Sequence, residues 1–452
     1  MKLTVFQSDK GDCLLLTSAD GRHMLVDGGM RQSYSEHVSP VLNELCADRG
    51  MLDVVNVSHI DQDHISGVLQ MMDDEVAWRI HKHQLENGNP HHKEPGFRRP
   101  PKIGAIWHNA FHAQLPEKAE EIEEMLAASA AILSGSANKS VEELASEENE
   151  LVTSISEAIK LTRRVGDDQL RVKLNPPAKG KLMMVRSSTS PAIKLGRMRL
   201  RIIGPFPADL RKLREEWNDW LKKNETQLKS IQAKAKEDEL QFNIKEIDDI
   251  LSPKIMQANL LSDLLPVTDL AQAAKPVKLG ERKKVTTPNL ASLMFFVQEN
   301  GKTLLLTGDG HHEDIVHGLE HIKKLNGKKG IHVDVLKVQH HASEHNIDEE
   351  FCRKVTADHY IFCGNGEHKN PDLRVLKAIA DSRIGSGEQL SSNAEVSRPF
   401  KFWFNSSSTV TKRKEAKDHM KEIEKLVGKL AQKKNGQMSF FFLKGSSFDL
   451  QI

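Results

Sequence analysis

The chain has 452 residues, room for about three domain-sized units, and a core of that size needs no disulfide or metal merely to fold. Its 64 Lys+Arg and 63 Asp+Glu leave a formal charge of +1, which excludes a whole-protein electrostatic sponge for nucleic acid but allows a local basic patch. At 38% hydrophobic and 28% charged residues, with no apolar run approaching about 18, the composition excludes a membrane channel and predicts no membrane association.

The opening MKLTVFQSDKGDC lacks a signal peptide's apolar stretch and reads as a first strand. Cys13, Cys46, Cys352 and Cys363 are scattered without a C-x-x-C pair, as thiols of a reducing compartment are, which predicts a soluble, cytoplasmic protein. Strands are predicted at 2–6, 13–17, 23–27 and 53–57, with a helix at 36–49 carrying Val38, Val41, Leu42 and Leu45 at helical spacing. From about 111 to 285 the chain turns charged. Two helices split by the Gly/Ser break at 134–136 are expected, then strands at 182–188 and 197–205. A long helix from about 207 follows, striped by Leu210, Leu213, Trp217 and Leu221.

The third zone resumes with LASLMFFVQ, KTLLLTGD, a His-rich helix, VDVLKVQHH and DHYIFCGNG. It closes with KFWFN, a basic helix near 412–434 and SFFFL as the last strand. Strands alternating with helices at both ends predict an α/β sandwich with helical insertions in its middle. Residues 1–110 and 286–452 then form two halves of one unit, 181–206 contributes core strands, and 111–180 and 207–285 are helical insertions.

The densest chemistry is Ser58-His59-Ile60-Asp61-Gln62-Asp63-His64, directly after the apolar strand DVVNV. Imidazole and carboxylate together suit zinc or manganese. Helix capping would account for Asp61 and Asp63 but for neither histidine. Asp309 ends the strand LLLTGD between two glycines, where backbone approaches closely and a carboxylate can bridge two cations. His340 and His341 end the strand VDVLKVQHH in tandem. His311 and His312 open a helix and are not read as ligands.

Asp27-Gly28-Gly29, the His59-x-Asp61-x-Asp63-His64 run, TGD ending in Asp309 and KVQHHAS resemble the metallo-β-lactamase-fold hydrolases in order and setting. Their wording is closest to the ComEC-like (DNA-uptake) branch, together with Gly11-Asp12-Cys13, Ile106-Trp107-His108-Asn109, Asn289-Leu290-Ala291-Ser292 and the late His368…Pro371. The resemblance covers roughly 1–110, 180–210 and 286–400. It implies an αβ/βα four-layer sandwich with two divalent metal ions, Zn or Mn. His59, Asp61 and a third imidazole would hold the first ion. Asp63, His64 and His340 would hold the second, and Asp309 would bridge both. His108 is the expected third imidazole, with His112, His81 and His83 as alternatives. Ala342 stands where that branch has Gly.

On this reading Asp63 orients the attacking water and accepts its proton. Lys337 and His341 hold a phosphate or support the ligands from behind, and His368 protonates a leaving alkoxide. The expected activity is that of a phosphodiesterase or nuclease on DNA or RNA, within a nucleic-acid-processing or antiphage defence system, with a protein partner docked on the helical insertions. The alternatives are a small ester, lactone or thioester hydrolase and a partner-docking metal-binding subunit. Two features favour nucleic acid: the basic stretch 91–102 with Arg98 and Arg99, expected to line the cleft, and the row Lys417, Lys421, Lys425 and Lys429.

Overall fold

The computed structural model describes residues 1–47, 49–109, 157–158, 160–167, 169–215, 279–325, 330–433 and 436–452. Alternation within the first strands decides which layer each side chain joins. Leu14 and Leu16 enter one apolar cluster, Leu15 another; Met24 and Val26 flank Leu25 in the same way. Across the molecule, Phe295 and Val297 join Leu14 and Leu16, while Met294 and Phe296 face the opposite direction. Two sheets therefore share an inner core, and helices cover each outer face.

Among the described residues, the first sheet runs Ser447–Gln451, Lys2–Phe6, Leu14–Thr17, His23–Val26, Val54–Asn56, Ala105–Trp107 and Lys173–Leu174 in spatial order. The second runs Met438–Phe442, Phe400–Phe404, Val355–Phe362, Ile331–Lys337, Lys302–Leu306, Met294–Glu299, Met198–Gly204 and Ile193–Leu195. The helix Gln62–Glu86 covers the first sheet; His312–His321, Glu349–Lys354, Leu373–Ile384 and Lys414–Lys433 cover the second. The result is the αβ/βα four-layer sandwich that the resemblance implied. Lys414–Lys433 docks by Ala416, Met420, Ile423, Val427 and Leu430, a spacing of four and three that makes one apolar stripe.

Two expected elements differ. Residues 182–188 form no strand, because their backbone bonds go elsewhere: Met183 N–H donates to Asn109 Oδ1 (2.8 Å) and Val185 N–H to Pro205 O (2.9 Å). Nor is SFFFL the last strand. Ser447–Gln451 follows it and pairs antiparallel with Lys2–Phe6, with Asp449 accepting from Thr4 Oγ1 at 2.6 Å. Of the two expected insertions, most of 111–180 and 207–285 lies outside the described residues. Residues 207–215 are helical, with Leu210 and Leu213 buried; Trp217 and Leu221 lie outside. Lys173–Leu174 already belongs to the first sheet, parallel to Ala105–Trp107. Among the described residues no helix is long and apolar enough to cross a membrane.

Candidate metal centre

Parallel strands of both sheets end at one place, and loops leaving the carboxyl ends of such strands are where α/β folds put their ligands. Asp27 follows His23–Val26, Ser58 and His59 follow Val54–Asn56, and His108 follows Ala105–Trp107. From the other sheet, Asp309 follows Lys302–Leu306 and the His340–His341 pair follows Ile331–Lys337. A backbone bond joins the two groups, Leu293 N–H donating to Ser58 O (2.8 Å), and within the second group His340 N–H donates to Gly308 O (3.2 Å).

The opening of helix Gln62–Glu86 is pinned by two glycines. Gly28 N–H donates to His64 O (2.8 Å) and Gly67 N–H to Gly29 O (2.9 Å), so the first turn lies on the Asp27-Gly28-Gly29 corner. A Cβ on Gly28 would come within 2.3 Å of Val68 N, and one on Gly67 within 2.0 Å of Gly28 O. Only glycine permits that approach. Asp61 is the helix's N-cap residue, yet its side chain makes no capping bond. It turns instead to His59, with Nε2–Oδ2 3.4 Å.

Four imidazoles converge on one oxygen. Asp309 Oδ2 lies 3.3 Å from His64 Nε2, 3.3 Å from His341 Nε2, 3.8 Å from His340 Nε2 and 3.9 Å from His59 Nε2. Asp63 adds its carboxylate, 3.1 Å from His341 Nε2 and 3.8 Å from His64 Nε2. The other nitrogen of each ring is occupied. His64 Nδ1 bonds Asp27 (2.9 Å), His341 Nδ1 bonds Cys363 O (2.9 Å), His59 Nδ1 faces Ser58 Oγ (3.0 Å), and His340 Nδ1 bonds Asn346 Oδ1 (2.6 Å). The supports are themselves held: Ser58 Oγ–H donates to Asp27 (2.8 Å) and Asn346 Nδ2–H to Asp309 O (2.9 Å).

The buried Nε2 atoms of His59, His64 and His341 have no hydrogen-bond partner among the described residues. Close approach without hydrogen-bonding geometry, with Nδ1 fixed from behind, is how metal ligands are presented. His59, His64 and Asp309 place one ligand atom each within 4.8 Å of one another. The donor set therefore fits a divalent cation such as Zn²⁺ or Mn²⁺.

The electrostatics agree. Burial by itself lowers the His64 and His341 imidazoles, but Asp309 and the neighbouring carboxylates outweigh it and raise both well above the usual range. Burial likewise raises the Asp309 carboxyl, and His64, His341, His340 and Lys337 hold it well below. Asp63 is depressed in the same manner. The pocket has surplus negative charge, and protons on imidazoles balance it when no cation does.

His108 is buried beside His59, and both of its ring nitrogens lack hydrogen-bond partners among the described residues. Burial, with His59 adding to it, pushes it down to about 4, so it is a neutral donor at physiological pH. A cavity of about 10 Å³ is lined by Ser58, His59 and His108, among others. The alternatives fall away on distance. His81 and His83 stand 17 and 19 residues beyond His64 on the same helix, roughly 25–28 Å along its axis. His112 lies outside the described residues.

Three expectations are altered. His341 sits against Asp63, the place expected for His340, while His340 is 25% exposed at the opening. The reason is local: His340, His341 and Ala342 have φ of 44°, 50° and 63°, and this left-handed turn interrupts the strand's alternation. Lys337 cannot hold a substrate phosphate, because its side chain is 1% exposed and paired with Asp12. The 91–102 stretch does not line this cleft. Arg99 pairs with Glu75 (2.7 Å) beside a separate cavity of about 440 Å³, and Glu75 lies 11 residues beyond His64, roughly 17 Å along the helix. His368 is exposed on the loop that leaves Cys363.

Asp12, Asp27, Asn289, Ser292 and Asn346 support the site; the first four stand in motifs that carry the resemblance but had no role assigned, and Asn346 had no sequence signal. His311 and His312 do cluster, with rings 4.0 Å apart, but hydrogen bonds engage them, His311 with Gly280 O and His312 with Asp348.

Ala342 shows how the site tolerates its turn. A left-handed residue with a Cβ costs about 1–2 kcal/mol, whereas its methyl, fully buried in the second sheet's outer core, contributes about 0.8 kcal/mol. Glycine would relieve the strain, lose the methyl and cost chain entropy. Ala342→Gly is therefore expected to melt within about 2 °C of wild type by calorimetry. A large stabilisation would show that the methyl contributes little.

A two-sheet αβ/βα sandwich whose joined strand ends gather buried histidines and aspartates is an arrangement suited to a metal-dependent hydrolase. Residues 9–128 match the family model described as the Metallo-beta-lactamase superfamily. The matched segment contains Asp12, Asp27, the His59–His64 loop and His108. Comparison with curated proteins finds no match.

Proposed function

We propose that the chain is a phosphodiesterase of the DNA-uptake-like branch, acting on DNA or RNA with two divalent cations. His59, Asp61 and His108 would hold one, Asp63, His64 and His341 the other, with Asp309 shared. Bound there, the cations supply an acidified water and stabilise charge on an in-line phosphoryl centre. Asp63, held ionised and 17% exposed, accepts a hydrogen bond from the attacking oxygen and so aims it. His340, fixed by Asn346, presents its ring at the opening.

The observation that carries the phosphodiester reading is a lip of exposed, salt-bridged cations, whose carboxylate partners a phosphate backbone would displace. The loop that begins at Cys363, bonded to His341, lies against the start of helix Lys414–Lys433. Thr411 Oγ1–H donates to Asn365 O (3.0 Å) and Arg413 pairs with Glu367 (3.2 Å). Lys412 and Arg413 are each 75% exposed and paired with Glu36 (3.4 Å) and Glu367, and Lys10 is among the cations that depress Asp63. A polyanion crossing this lip meets positive charge from chain segments far apart in sequence. A protein partner on the 111–180 and 207–285 insertions belongs to the same proposal, supported by their charged, amphipathic sequence.

The test is cleavage of labelled single- and double-stranded DNA and RNA in EDTA, Zn²⁺ and Mn²⁺, beside Asp63→Ala. Cation-dependent cutting absent from Asp63→Ala is expected. Lys412→Glu/Arg413→Glu should raise KM about tenfold and flatten its salt dependence with kcat unchanged. If metal-loaded protein cuts no polymer, a small ester, lactone or thioester becomes the better substrate.

A further inference from the structure

Asp309 divides its two oxygens between different partners. Oδ2 faces the four imidazoles, whereas Oδ1 lies 3.6 Å from Lys337 Nζ. Lys337 is among the largest fully buried side chains. Its ammonium pairs with Asp12 and donates to Gly308 O at 3.0 Å, in the same turn as Asp309. Asp12 in turn approaches the rear nitrogens of two rings of the site, 3.4 Å from His341 Nδ1 and 4.0 Å from His64 Nδ1. Both side chains are only 1% exposed, so neither meets solvent or substrate.

We infer that the Asp12–Lys337 pair is a positioning device that makes Asp309 a one-oxygen ligand and backs the His341 and His64 rings, whose Nδ1 atoms are held by Cys363 O and Asp27. The inference rests on the metal reading above. A lone lysine beside Asp309 would compete with a cation for the carboxylate. Asp12 prevents this by holding the ammonium back, 3.6 Å from Oδ1, where the two attract as charges without a hydrogen bond. The pair adds no net charge, so its effect is geometric. It also ties the first hairpin to the strand Ile331–Lys337, bringing ligands from both halves of the chain into one register.

The experiment titrates Zn²⁺ into wild type, Asp12→Asn and Asp12→Asn/Lys337→Met against a chromogenic chelator, and records the visible spectrum of each with Co²⁺. Wild type should take up two equivalents; uptake of none would overturn the metal reading and this inference with it. In Asp12→Asn the freed ammonium should fall on Asp309 and weaken Zn²⁺ binding about 10- to 100-fold. The double variant removes both charges, which buried pairs often tolerate, and restores the wild-type net charge. It should still bind about tenfold more weakly with a shifted Co²⁺ spectrum. A merely structural pair would instead leave affinity and spectrum at wild-type values in whichever variants fold, and that result overturns the proposal. Asp12→Asn is nearly isosteric and decides the question alone if the double variant does not fold.

Discussion

Asp309→Asn is expected to lower divalent-cation affinity and hydrolysis by about 10³-fold or more, a loss of about 4 kcal/mol. Among the described residues no other side chain meets all four imidazoles, and Asn offers a neutral oxygen where Oδ2 now stands. The cation-free variant should also be less stable. His64 and His341 would retain their buried positions without their main counter-charge, and breaking a buried pair costs about 3–5 kcal/mol. Circular dichroism, metal analysis and steady-state kinetics separate the two effects. A variant that holds two cations at wild-type affinity would show that Asp309 is not the shared ligand.

The second large effect is a change in the pH dependence of stability on metal loading. In the cation-free protein, His64 and His341 are raised, so their contribution is fully present below their unfolded value of about 6.5 and is lost as pH rises through the folded values. Asp63 and Asp309 are depressed, so theirs is present above about 3.9 and lost as pH falls through the folded values. In EDTA the melting temperature should therefore peak between about pH 4 and 6.5.

Cation binding requires neutral imidazoles and so displaces those protons. With Zn²⁺ at about 100 times its Kd, stability should rise by about 2.7 kcal/mol and the optimum should move above about pH 6.5. Calorimetry in buffers of different ionisation enthalpy should report about two protons released per loaded protein near neutral pH. Superimposable melting curves with EDTA and Zn²⁺ from pH 4 to 9 would rule out a cation at these residues.

Much of the architecture was legible because it rests on short-range periodicity. KLTVF, KTLLL and KFWFN became the strands Lys2–Phe6, Lys302–Leu306 and Phe400–Phe404, since alternation of apolar residues is a property of neighbours. The His59–His64 loop and Asp309 were likewise visible, as ligand types clustered at strand ends. Residues 182–188 misled for the complementary reason: an apolar run is a strand only if a partner backbone is free, and here Asn109 takes its bonds.

Sequence by itself determined the sandwich, the strand-end placement of the chemistry and the residue types offered to a cation. Tertiary structure alone decided which atoms meet. It brought Asp12 onto Lys337 across 325 positions of chain, and a left-handed turn put His341 in place of His340 beside Asp63. It also tied Arg99 to Glu75, away from the cleft, and put Lys412 and Arg413 beside the loop that supports His341. Periodicity says which face a side chain takes; the meeting of two loops depends on how whole sheets pack, and no local pattern encodes that distance.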